Sequence, residues 1–316
     1  MDMNCRLCIV VPCYNEEDAL PVTGPKFVEH LRKMVAEGHV DKDSKVVFVN
    51  DGSKDATWGV IKKLHDENKE VVGLNLAHNR GHQNALMAGL MYAKDHGDVA
   101  ISIDADLQQD INAMSLFIDE YKKGCDVVFG VRNSRDTDSF FKRTTAGAFY
   151  KFSKWLGCDL YENSADYRLM SSKALEALSE YEEVNLFLRG IIPTLGFKTS
   201  VVYFDVSPRM QGESKYSLRM MIKLALDGIT SFSIKPIRLV FLMGVAAIFI
   251  AVVMLIHILI DYINNNVVQG WPSILASIWI LGGNILLSIG IVGEYVGRNY
   301  METKKRPRYF VSEILS

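Results

Sequence analysis

Val99-Ala100-Ile101-Ser102-Ile103-Asp104-Ala105-Asp106-Leu107-Gln108 is the stretch on which the reading of this chain turns. A short apolar run bounded by polar residues reads as a buried strand, and open α/β sheets bind their ligands just beyond the carboxyl ends of their strands. Asp104 and Asp106 are therefore expected on such a rim. Carboxylates one residue apart repel, and burying both without a counter-charge costs on the order of several kcal/mol or drives one pKa upward. A hard divalent cation carrying a diphosphate removes the conflict, because Mg2+ takes one or two carboxylates and fills its shell with water and phosphate oxygens. A solvated acidic turn has the same spacing, so the flanking sequence has to decide.

Upstream, strand patterns over 8–11 (closed by Pro12), 46–49 and 71–76 alternate with helical patterns over 23–35, 56–64 and 83–93. Strands alternating with helices at this interval predict an α/β fold with a parallel, right-handed sheet. Downstream, 126–130 and 201–205 read as extended, and 142–156 and 171–178 as helical. Neither G-x-G-x-x-G nor G-x-x-x-x-G-K-[ST] occurs, which argues against a dinucleotide-binding Rossmann unit and a P-loop enzyme.

The chain has 316 residues and a net charge of −2, a balance that argues against non-specific nucleic-acid binding. No Asp, Glu, Lys or Arg occurs over 239–260 or 271–292, each long enough for a helix to cross a bilayer core. The junction over 261–270 lacks Lys and Arg, whereas Lys223, Lys235 and Arg238 precede the pair and Arg298, Lys304, Lys305, Arg306 and Arg308 follow it. The positive-inside rule then predicts a multi-pass protein of the inner (plasma) membrane, with the short loop outside and the N-terminal domain and tail cytoplasmic. No signal peptide is expected, since the chain opens polar. Leu218, Met221, Ile222, Ala225, Leu226 and Ile229 make an apolar stripe suited to a helix in the membrane interface. The expected domains are thus 1–215 a cytoplasmic domain, 216–237 interfacial amphipathic helices, 238–297 a transmembrane hairpin and 298–316 a cytoplasmic tail. Five cysteines, at 5, 8, 13, 125 and 158, form no complete disulfide set and suit a reducing compartment.

Four strand ends carry polar groups: Pro12-Cys13-Tyr14-Asn15-Glu16, Asp51-Gly52-Ser53, Asn79-Arg80-Gly81 and Asp104-Ala105-Asp106. In this order and spacing the chain resembles the family-two glycosyltransferases of GT-A fold, and more closely the polyprenyl-phosphate glycosyltransferases, over essentially its whole length. The resemblance implies that Pro12, Tyr14 and Glu16 hold the base and ribose, and that Asp51 bonds the base edge, where an acceptor-only carboxylate can read an imide N–H. It implies that Arg80 and Gly81 close over the nucleotide, that Asp104 faces ribose or metal, and that Asp106 is the principal ligand of Mg2+ or Mn2+, with Gln108 adding an oxygen. Many relatives follow this motif with a proline pair where this chain has Gln109-Asp110-Ile111, so Asp110 is a further carboxylate to consider.

The implied acceptor is a polyprenyl phosphate, undecaprenyl phosphate by the bacterial resemblance, and the implied donor a nucleotide sugar, UDP-glucose or UDP-GlcNAc. Two anionic groups approach each other only across cations; Arg132, Arg143, Arg209 and Lys215 are the implied ones. Asp166 occupies the position of the family's catalytic base. A phosphate monoester is already ionised above about pH 6, so Asp166 is expected to orient Arg168 or the acceptor phosphate. Direct attack on the sugar C1 would invert its configuration. Gly290, Gly293 and Gly297 allow close helix packing, and the resemblance implies a homo-oligomer, a tetramer. The alternatives are a membrane-tethered nucleotide-sugar sensor or scaffold without catalysis, and a processive polysaccharide synthase, whose Gln-x-x-Arg-Trp segment is absent.

Overall fold

Leu7–Cys13 forms strand β1, buried at every position, at the centre of an eight-stranded sheet. The computed structural model describes residues 4–133, 164–184, 186–205, 235–263 and 270–316. Arg143, Arg209, Lys215, Cys158, the helix expected over 142–156 and the amphipathic stretch 216–232 lie outside the described residues.

Around β1 stand helix α1 (Leu20–Ala36), β2 (Lys45–Asn50), α2 (Thr57–Glu67), β3 (Val71–Leu76), α3 (His82–His96) and β4 (Val99–Ser102). A 3-10 turn (Ile111–Ala113), α4 (Met114–Lys122), β5 (Val127–Arg132), β6 (Ser164–Ser171), α5 (Ser172–Ser179), α6 (Leu188–Thr194) and β7 (Thr199–Phe204) follow. Two long helices, α7 (Lys235–Ile263) and α8 (Trp271–Thr303), precede a last strand, β8 (Val311–Leu315). The strand order is β7-β5-β6-β4-β1-β2-β3-β8. β1 pairs in parallel with β2 and β4, β2 with β3, and β5 with β7. The pairings β4–β6, β5–β6 and β3–β8 are antiparallel.

The α/β class and the mostly parallel sheet agree with the sequence reading, with three differences. First, β1 runs through Pro12 to Cys13. Val10 accepts a bond from Ile103 on the β4 side, where the ladder has reached Ser102, and two residues on Pro12 points the same way past the end of that ladder. Its missing donor is therefore not called for, which is how a proline fits a central strand. Second, β6 enters antiparallel between β4 and β5, an element the apolar pattern hid because Asp166 and Arg168 interrupt it. Third, part of the expected free tail is β8, an edge strand of the same sheet.

α3 lies so close to the sheet that a Cβ at Gly89 would come within 2.3 Å of Val10 and 2.9 Å of Val49. On the opposite face, Leu7, Ile9, Val11 and Phe48 pack with Phe27 and Leu31 of α1 in the main apolar core. Cys5, Cys8, Cys13 and Cys125 are free thiols buried in the fold.

The chain divides into two compact units, one of residues 1–225 with 307–316 and one of 226–306. In the second, Ile280–Thr303 is a helical stretch long and apolar enough to cross a membrane, with a mean hydropathy of 1.5, and Val240–Met254 is a shorter apolar one. Where the sequence leads to the expectation of two spans, one such helix meets both length and apolarity among the described residues. Large apolar side chains on both helices, Phe241, Ile248 and Leu286 among them, are exposed, a surface that water alone does not favour.

Because Gly89 has no room for a side chain, Gly89→Val is expected to lower stability by about 1–3 kcal/mol through overpacking. Denaturant unfolding of the detergent-solubilised protein measures it, with Gly59→Ala as the comparison at a position without close neighbours.

Candidate active site

The carboxyl ends of β1, β2, β3 and β4 supply four turns, and hydrogen bonds tie the turn after β2 to those after β1 and β3. Asn15, in the left-handed region at φ 52°, turns the chain after β1; Asn is among the few residues that tolerate it. Its amide donates to Ser53 Oγ at 3.0 Å, its side-chain oxygen accepts from the Lys54 amide at 3.0 Å, and the Glu16 amide donates to Thr57 Oγ1 at 2.8 Å. Pro12 is buried, whereas Tyr14 and Glu16 on this turn are partly open.

Asp51 is 2% exposed, and its carboxylate accepts the amides of Arg80 at 2.7 Å and Gly81 at 2.9 Å. Burial pushes its pKa up against the pull of those two amides. Gly52, at φ 58°, has no space for a Cβ, which would lie 2.4 Å from the backbone of His78 and Asn79. Asp51 thus clasps the loop that presents Arg80 and opens α3, while the Arg80 side chain stays exposed.

After β4 the chain turns through Leu107 at φ 51°. The Gln108 amide donates to Asp106 Oδ1 at 3.1 Å. Gln109, 2% exposed, holds Asp104 at two points: its carbonyl accepts the Asp104 amide at 2.9 Å and its NH2 donates to Asp104 Oδ2 at 2.8 Å. Asp110 caps the 3-10 turn by accepting the Asn112 amide at 2.9 Å, so local structure occupies it.

Asp166 gathers the cations. Its Oδ1 accepts Arg168 Nη2 at 2.6 Å and Arg189 Nε at 3.1 Å, its Oδ2 accepts Arg189 Nη2 at 2.9 Å, and His82 Nε2 lies 3.5 Å from Oδ2. The same His82 nitrogen is 3.8 Å from Asp104 Oδ1, joining this cluster to the turn that carries Asp106. Burial alone would raise the Asp166 pKa; the Arg189 charge, the His82 contact and the Arg168 charge outweigh it and hold the carboxyl well below the usual range. Burial works against the charged form of His82, yet its contact with Asp166 and the Asp104 charge raise its pKa. At Asp104, burial raises the pKa, His82 opposes it, and Asp166 and Asp106 add to it. Arg168 is 1% exposed, and its Nε and Nη1 are buried donors that meet no acceptor among the described residues.

The structure thus brings together Asp51, Arg80 and Gly81 in one clasp, and Asp104 and Asp166 around His82. Arg132 ends β5, partly exposed, and makes no ion pair with the Asp166 cluster among the described residues. Sequence reasoning missed His82, Gln109 and Arg189 as site residues. His82 and Gln109 each adjoin a motif residue, whereas Arg189 lies in Leu186-Phe187-Leu188-Arg189 with no motif to mark it. No group of three or more His, Cys, Asp or Glu arranged to hold a metal ion occurs among the described residues. Asp104 and Asp106 offer carboxylate oxygens, the donors a hard cation takes while phosphate and water fill the rest of its shell, and after burial the charges of Asp166 and Asp106 add to the raised Asp104 pKa.

Residues 8–179 match the family described as glycosyl transferase family 2. The chain belongs to that family. It is 48% identical over 305 residues to the uncharacterized glycosyltransferase YkoT of Bacillus subtilis (strain 168), covering 96% of this chain and 90% of the relative. It is 39% identical over 311 residues to the prophage bactoprenol glucosyl transferase homolog of Escherichia coli (strain K12), covering 98% and 99%. With the bactoprenol glucosyl transferase of Shigella phage SfX it shares 40% identity over 310 residues, covering 97% and 98%. Among solved structures, glucosyl-3-phosphoglycerate synthase from Mycobacterium tuberculosis with Mn2+, UDP and glucosyl-3-phosphoglycerate aligns at a TM-score of 0.44 and 16% identity, covering 72% of this chain and 78% of that one.

In this family 2 glycosyltransferase, Asp166→Asn leaves the buried Arg168 and the partly exposed Arg189 without their counter-charge and is expected to cost about 3–5 kcal/mol, mostly through Arg168. The native pKa of Asp166 is depressed, so its stabilisation is fully present above the unfolded-state pKa and is lost as pH falls through the native one. Urea unfolding from neutral to acidic pH should show that acid-dependent loss in the native enzyme, with its Asp166 share missing from Asp166→Asn.

Proposed function

We propose that this glycosyltransferase moves a hexose from a nucleotide sugar, UDP-glucose or UDP-GlcNAc, to a polyprenyl phosphate, undecaprenyl phosphate, at the cytoplasmic face of the inner membrane. One observation carries the reading: Asp104, two residues from Asp106, and the cation-locked Asp166 meet at His82 on one rim of the sheet. Such a rim holds opposite charges side by side, as a reaction between two phosphate-bearing substrates requires. The names of the phage and Escherichia coli relatives, which specify a bactoprenol acceptor and glucosyl transfer, support the choice of lipid and sugar.

In this reading Pro12, Tyr14, Glu16, Asp51, Arg80 and Gly81 hold the nucleoside, with Gly81 admitting close approach of the backbone. Asp104, Asp106 and Gln108 hold Mg2+ or Mn2+, which neutralises the leaving diphosphate. Arg132, Arg143, Arg209 and Lys215 receive the acceptor phosphate and the diphosphate, since guanidinium forks match phosphate oxygens. The acceptor arrives ionised, its second pKa being about 6. Asp166 is a poor base, because Arg168 and Arg189 occupy its oxygens and hold its pKa low. Its role is to orient those guanidiniums. Attack of the phosphate oxygen on C1 is then a single displacement with inversion.

Chain continuity supports the membrane arrangement in this reading. β8 belongs to the same sheet as β3, yet α7 and α8 intervene in sequence. An odd number of crossings would leave β8 on the far side of the bilayer from β3. Two spans, α7 and α8, satisfy the constraint and keep both ends of the hairpin on the catalytic side. Association into a homotetramer belongs to the same proposal and is read by mass in detergent.

Membranes carrying the enzyme, given a panel of sugar nucleotides with Mg2+ or Mn2+, should yield one new glycolipid, identified by mass, with inverted anomeric configuration. Chelation should abolish its formation. If no donor labels lipid, the proposal fails. The native pH–rate profile should show no limb that belongs to Asp166; a limb that disappears in Asp166→Asn with binding intact would restore the base role.

A further inference from the structure

The ten residues that follow the second unit return to the catalytic unit and grip it at two places. At the first, β8 pairs with β3, Phe310 O accepts the Ala77 amide at 2.9 Å, and Ser312 Oγ donates to Asn75 O at 2.9 Å. Glu313 accepts Trp58 Nε1 at 3.1 Å and pairs with Lys62 at 2.9 Å. Ala77 stands three residues before Arg80, whose amide Asp51 holds. At the second, Arg308 Nε donates to Glu183 O at 2.9 Å and its Nη2 to Tyr181 O. A guanidinium fork on two main-chain carbonyls of one segment fixes both its position and its direction.

That segment leads into α6, and Glu183 is six residues ahead of Arg189, which takes both oxygens of Asp166. The start of α6 has a further anchor: the Leu188 amide donates to Gln83 Oε1 at 3.2 Å, on the residue next to His82. Arg189 is therefore presented to Asp166 by a helix seven residues long, too short to be stable alone and held at its entry by α3 and by Arg308.

We propose that Arg308 is a positioning residue for glycosyl transfer: by pinning the carbonyls of Tyr181 and Glu183 it sets α6 so that Arg189 meets Asp166. This rests on the reading of the Asp166 cluster as part of the active site. The tail is then more than the end of the membrane hairpin. It is a strap between the strand that leads to the nucleotide loop and the segment that carries Arg189.

The test compares the full-length enzyme in detergent with Arg308→Ala, Arg308→Lys and Lys62→Ala by hydrogen exchange, transfer kinetics and melting. Arg308→Ala should raise exchange in peptides covering 180–190, leave α3 and β1 peptides unchanged, and lower kcat about tenfold, with the KM for the donor nearly constant, as expected of a misplaced catalytic group. Arg308→Lys, with one point charge in place of a fork, should recover part of both. Lys62→Ala, which loosens the other end of the strap, should match the native enzyme. Unchanged exchange over 180–190 overturns the proposal, as does faster exchange with native kcat, or a loss in Lys62→Ala equal to that in Arg308→Ala. Should Arg308→Ala lack a cooperative melt, Arg308→Lys is judged by the same criteria. Exchange needs no substrate, so a wrong donor or acceptor would show as absent transfer in the native enzyme while the exchange result stood.

Discussion

A carboxylate buried between two guanidiniums is the constraint on which the rest of this structure depends. Asp166 and Arg168 lie on β6, the strand that enters antiparallel between two parallel portions of the sheet. Ser102 Oγ, at the end of β4, donates to the carbonyl of Asp166 at 2.6 Å, which ties the ion pair to the strand that leads to Asp104. Removing one member of such a cluster leaves uncompensated charge in a place water cannot reach. The cluster therefore joins β6, α3 and α6, and with them the rim proposed for the chemistry.

Charge is segregated along that rim. Asp104 and Asp106 place two carboxylates in the turn after β4, and Arg168 and Arg189 are drawn onto Asp166. His82 stands between the two groups and faces a carboxylate of each. Among the described residues two buried donors of Arg168 meet no acceptor; an unmet buried donor carries a cost of about 1–3 kcal/mol, the kind of local expense that functional sites retain. The tail adds a mechanical element, because the chain comes back from its apolar unit to the outer edge of the same sheet.

Much of the fold was legible because its signals are local. β1 to β4 announce themselves as apolar runs that end in turn residues, and α1 to α3 as periodic stretches between them. The structure shifts their ends by a few residues where a local rule gave way: Pro12 stays within β1 because the ladder beside it has ended, and α1 starts at Leu20 because Pro21 in its first turn needs no donor. β6 was hidden because its buried face is ionic. β8 was hidden because a short strand after a basic stretch reads as a tail, and only β3 gives it a partner.

The sequence by itself determined the alternation of strands and helices, the carboxylate pair after β4, the family and the apolar stretches near the C-terminus, since each is written in neighbouring residues. Only the tertiary structure decided that Gln109 holds Asp104, that His82 joins Asp104 to Asp166, that Arg189 locks Asp166, and that Arg308 reaches the segment before α6. Those contacts join residues that are remote in the chain or placed by a turn, and their energies arise from burial and charge in a shared space that one-dimensional spacing does not contain.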